Sequence, residues 1–68
     1  MTKDHKMSAE EREKLILTSL KQATAPITAS EFAEKTNVSR QVIVQDVSIL
    51  KAKNEPIVAT SRGYIYLK

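Results

Sequence analysis

Residues 29–50 read ASEFAEKTNVSRQVIVQDVSIL, and how this stretch divides decides the fold. Its first part, Ala29 to Lys35, reads as a helix with Phe32 turned inward and Ala33 beside it. The preceding Thr28-Ala29-Ser30-Glu31 fits a capping box, in which a hydroxyl and a carboxylate satisfy the free amides of a helix start. Thr36-Asn37-Val38 then breaks the periodicity. Asn37 stands where a tight turn needs a positive φ, which asparagine tolerates because its side chain bonds locally. Ser39 is placed to cap the next helix. There, a rotation of about 100° per residue gathers Ile43, Val47 and Leu50 on one side, with Val42 and Ile49 on its flank. Two helices crossing this closely need a small residue between them, and Ala33 supplies it. The pattern is that of a helix-turn-helix.

The other side of this helix carries Gln41, Gln45, Ser48 and Ala52, with Val44 at its margin. A helix face that only meets water usually alternates Lys and Glu, whereas this one offers amides, a hydroxyl and a valine, with no acid. Such groups match base edges in a major groove: glutamine pairs with adenine, and valine touches a thymine methyl. The expected base contacts are therefore Gln41, Val44, Gln45 and Ser48. Ser39 and Arg40 stand at the helix start, where unpaired amides and the positive end of the dipole favour a phosphate oxygen. Lys51 and Lys53 suit either phosphates or the negative end of the helix dipole. Asp46 falls towards the buried flank, where a cation such as Arg12 is its expected partner.

Upstream, Ser8-Ala9-Glu10-Glu11 is a further capping box. The helix it opens sets Arg12, Ile16, Leu20 and Ala23 inward, widened by Leu15 and Leu17, and leaves Lys14, Thr18 and Lys21 wet. Ala25-Pro26-Ile27 is expected to stop it, since proline biases its predecessor away from helical angles. Ile27 is a candidate single short strand. Met1 to Met7 is polar and without periodicity, and residues 1–7 are expected to form a disordered tail ahead of a domain over 8–68. Downstream of Asn54-Glu55-Pro56 the period becomes extended. Ile57 to Thr60 and Tyr64 to Leu67 read as two strands joined by Ser61-Arg62-Gly63, with the chain's only glycine in the turn. The fold expected is mainly α with a small β-hairpin, a winged helix-turn-helix. Arg62 at the wing tip completes the expected backbone contacts Ser39, Arg40, Lys51 and Arg62, and Tyr64 is expected to lock the hairpin to the core.

Composition narrows the function. With 68 residues and no cysteine, the chain has no disulfide or thiolate metal site to lean on, and 4% aromatics make its core aliphatic. His5 is the only histidine, so no metal site is expected. The net charge of +3 is unevenly placed. Residues 1–35 hold six Lys/Arg and six Asp/Glu, whereas residues 36–68 hold five and two. A basic C-terminal half around the face described above points to an anionic partner, double-stranded DNA. No pair of carboxylates, nucleophile triad or glycine-rich phosphate loop suggests an enzyme. No apolar run reaches the roughly 18 residues of a membrane span and no signal peptide opens the chain, so a cytoplasmic location is expected. The rival reading is a winged helix that binds protein; it would favour a leucine-rich or acidic recognition face, and this face is neither.

The run Val38-Ser39-Arg40-Gln41-Val42-Ile43-Val44-Gln45-Asp46-Val47, followed by Leu50-Lys51-Ala52 and by Ala59-Thr60-Ser61-Arg62-Gly63-Tyr64, resembles the N-terminal winged helix of the bacterial nicotinate-responsive transcriptional repressors. The resemblance covers nearly everything after Met7. The short pattern V-S-R-x-x-V/I-x-x-D-V/I is shared more widely, including by the biotin repressor. The resemblance implies a repressor of NAD biosynthesis and niacin uptake genes, with Arg40, Gln41, Val44, Gln45 and Arg62 at the recognition-helix and wing positions. It also implies a homodimer in the full-length protein. Nicotinate and a metal ion would belong to a C-terminal effector domain that this sequence lacks, so no cofactor is expected in the chain itself.

Overall fold

A computed structural model describes residues 7–67. Three helices are followed by a hairpin: α1 (Ala9–Gln22), α2 (Ala29–Thr36), α3 (Arg40–Ala52), β1 (Ile57–Thr60) and β2 (Gly63–Tyr66). The strands pair antiparallel, Ile57 opposite Tyr66 and Thr60 opposite Gly63. This is the architecture of a winged helix-turn-helix, mainly α with a β wing.

Local chemistry sets the helix boundaries. Ser8 and Thr28 each make a complete capping box, with Glu11 and Glu31 as the returning carboxylates, and Ser39 accepts from the Val42 amide at 3.3 Å. Each such cap is worth about 1 kcal/mol. Asn37 takes φ 58°, and its amide and that of Val38 both reach the Ala33 carbonyl, which closes α2. The same device ends α3: Asn54 takes φ 71° while the Glu55 amide returns to the Leu50 carbonyl at 3.1 Å.

The core joins all the helices to β1. Ile16 and Leu20 come from α1, Ala29 and Phe32 from α2, Ile43, Val47 and Leu50 from α3, and Ile57 from β1. Ala33, Val38, Tyr64 and Tyr66 pack at its edge. Burying each large aliphatic contributes about 1.5 to 3 kcal/mol. Thr36 is buried too, with its hydroxyl donating to the Phe32 carbonyl at 2.8 Å, so no polar group is stranded there.

Several boundaries differ from the sequence expectation. α1 ends at Gln22, ahead of Pro26, because Ala23 is already extended and the chain drops to Ile27. Ile27, by contrast, is the expected single short strand: it forms an isolated antiparallel bridge with Tyr64, exchanging bonds of 3.1 and 2.8 Å. Gly63 lies in β2, leaving a two-residue turn of Ser61 and Arg62, while Leu67 falls beyond the strand and is exposed. Ile49, expected on the buried flank, is 42% exposed, and among the described residues no element covers that edge of α3. The expected tail lies outside the described residues except for Met7, whose carbonyl accepts from Arg12 Nη1 at 3.2 Å.

Candidate nucleic-acid interface

α3 is gripped on its inner side and open on its outer one. Ile43, Val47 and Leu50 are each no more than 2% exposed. One turn away, Gln41, Val44, Gln45 and Ser48 are all exposed, as is Ala52. Among the described residues, no side chain of the protein bonds to Gln41, Gln45 or Ser48. The four expected base-contacting residues thus share one open face, on rigid helix rather than loop.

Acids near that face are neutralised from behind. The Asp46 carboxylate, 3% exposed, receives Arg12 Nε at 2.6 Å and Nη2 at 3.3 Å. This fork, chiefly through its hydrogen bond to Asp46, raises the Arg12 pKa above its ordinary value, so the guanidinium stays charged wherever the fold persists. Lower on the same seam, Lys53 Nζ donates to Glu13 Oε1 at 3.0 Å. Lys53 therefore ties α3 to α1. Glu13 went unnoticed in the sequence, since a carboxylate on the inner side of α1 makes sense only once Lys53 is known to reach it.

The remaining cations of this half point outward. Arg40, Lys51 and Arg62 are exposed and have no ion-pair partner among the described residues. Arg40 stands beside the wing: Thr28, Ser30, Arg40, Thr60, Ser61 and Gly63 line one cleft between the starts of α2 and α3 and the hairpin. Ser39, Arg40, Gln41 and Val44 line a shallow hollow next to it. Of the expected backbone contacts, Ser39 and Arg40 therefore border the α3 face on its wing side, while Arg62 stands exposed in the turn of the wing itself. Ser30 and Thr60, which sequence reasoning had not singled out, border the cleft; the signal that points to Ser30 is its place in the first turn of α2.

Among the described residues, no group of three or more His, Cys, Asp or Glu could hold a metal ion. No described helix is long and apolar enough to cross a membrane.

A closed triple of helices, a wing beside it and an acid-free open face on α3 define a helix-turn-helix protein, and the chain belongs to the HTH domain family, which matches residues 12–65. It is 54% identical over 67 residues to the transcription repressor NadR of Bacillus subtilis, covering 98% of this chain and 37% of that protein. It is 45% identical over 56 residues to the probable transcription repressor NiaR of Thermotoga maritima, covering 82% of this chain and 32% of that one. The chain thus spans about a third of the length of these relatives.

Proposed function

We propose that the chain is the operator-binding domain of a transcriptional repressor, acting by sequence-specific binding to double-stranded DNA. Genes of NAD biosynthesis and niacin uptake are the proposed targets, on the resemblance of the recognition helix and wing and on the two repressors it is similar to. The observation that carries the reading is the open face of α3, where Gln41, Val44, Gln45 and Ser48 are exposed and, among the described residues, their side chains bond to nothing of the protein's own. In the major groove these side chains choose the sequence, while Ser39, Arg40, Lys51 and Arg62 hold the backbone. Nothing in the face favours a protein partner instead, since it is neither leucine-rich nor acidic.

The chain works as a reader and not as a catalyst. Nicotinate and metal sensing, which the resemblance implies for the whole regulator, would fall to a separate effector domain. A homodimer in the cytoplasm, presenting two copies roughly 34 Å apart to a palindromic operator, would bind far more tightly than one domain alone. Selection of bound sites from a random DNA pool tests the reading: it should enrich one short motif. Three cationic contacts per domain should give a log-log salt slope of roughly −3. A pool that stays random after selection would contradict sequence-specific readout.

A further inference from the structure

The turn that carries Arg62 is held by two contacts that the core does not require. The first is the Thr60 hydroxyl, which accepts from the Arg62 amide at 3.1 Å and donates to the Gly63 carbonyl at 2.7 Å. Thr60 is exposed, so water would satisfy it equally well, yet both its bonds are made inside the turn. The second contact is at Gly63. Ser61 and Arg62 avoid positive φ, and the unusual dihedral of the turn falls on Gly63 at +134°. A Cβ at Gly63 would stand 2.7 Å from the carbonyl carbon and oxygen of Ile27 and 2.9 Å from the Thr28 nitrogen. These are backbone atoms that cannot swing aside. The start of β2 therefore lies directly against the segment that caps α2, and the Ile27–Tyr64 bridge fastens it there.

We propose that Thr60 and Gly63 are positioning residues that fix where the turn presents Arg62, next to the cleft that Arg40 lines with Ser61 and Gly63, so that Arg62 meets a phosphate from a preset position. The proposal rests on the reading of the chain as a DNA-binding domain. Its physical basis is entropic. An arginine on a loose two-residue turn loses the freedom of both turn and side chain on meeting a phosphate, whereas a latched turn has given up the first part already.

Thr60→Val keeps the β-branched shape of the strand and removes only the hydroxyl. Backbone contacts are indifferent to sequence, so a fluorescein-labelled mixed-sequence duplex of about 20 base pairs, one to two helical turns, serves as the probe. The Thr60→Val chain should bind it about three- to tenfold more weakly, the scale of one side chain's ordering. Thr60→Ser should restore binding. In an Arg62→Ala background, Thr60→Val should change nothing further, because the latch acts only through Arg62. Gly63→Ala should weaken binding further and also lower the melting temperature, because its Cβ would press on the Ile27–Thr28 backbone that opens α2. Unchanged binding by Thr60→Val, or an equal loss with and without Arg62, overturns the proposal. If Arg40→Ala and Arg62→Ala weaken binding while Thr60→Val does not, the positioning claim alone falls. If the wild-type chain binds no duplex, the DNA-binding reading falls with it.

Discussion

The two sides of α3 use polar groups in opposite ways. Towards α1, charge is spent on holding the helix: Asp46 is forked by Arg12 at 2.6 and 3.3 Å, and Lys53 is tied to Glu13 at 3.0 Å. Away from α1 the helix carries neutral groups, Gln41, Gln45 and Ser48, that bond to nothing of the protein's own among the described residues. Lys51 and Lys53 make the contrast at close range, the first without an ion-pair partner among the described residues and the second a structural strut. A reading surface must be both rigid and unsatisfied, and the seam behind α3 supplies the rigidity. The polar groups in front stay available because they lie on the face of α3 turned away from the core.

That contrast can be broken on its inner side first. Asp46→Ala leaves the Arg12 guanidinium, whose side chain is 15% exposed, without its partner. Breaking a fully buried pair costs roughly 3 to 5 kcal/mol, and this part-buried one, whose Arg12 keeps the Met7 carbonyl, costs less. A far-UV circular dichroism melt should therefore show a clearly lower melting temperature for this variant. Replacing Arg12 and Asp46 together by Met and Leu should return most of the lost stability, because the desolvation penalty goes with the pair. A melting temperature unmoved by Asp46→Ala would mean that the seam does not hold α3.

The outer side responds in binding and not in folding. Arg62→Ala should weaken binding on every sequence alike and bring the salt slope from roughly −3 to roughly −2, with an unchanged melt. An unchanged slope would take the wing off the DNA. The smallest effects separate the two lysines. Lys51→Ala should lower the salt slope by about 1 and leave stability alone. Lys53→Ala should cost under about 1 kcal/mol of stability, because that side chain is 60% exposed, and should leave DNA affinity nearly unchanged. If the two variants behave alike, the division of labour along the end of α3 is wrong.

Much of this arrangement is legible in the sequence because it is set locally. The caps at Ser8, Thr28 and Ser39 and the turn at Asn37 depend on residues within a few positions of one another. The inner and outer faces of α3 follow from helical periodicity, which also turned Asp46 towards Arg12. What escaped is what depends on distant segments. Glu13 is buried on account of Lys53, forty residues further along. Gly63 reads as a turn glycine, but the contact that excludes a side chain there comes from Ile27 and Thr28. Ile49 follows the inward period of α3, yet among the described residues no packed element covers it.

Titration of a fluorescein-labelled duplex carrying a selected site, beside a mixed-sequence duplex of the same length, tests the role of the α3 face most directly when wild type is compared with Gln45→Ala. Losing one glutamine–base pair should cost about 1 to 3 kcal/mol on the selected site and almost nothing on the mixed sequence. Equal losses on the two duplexes would show that Gln45 reads no base and would contradict the assignment of this face as the sequence reader.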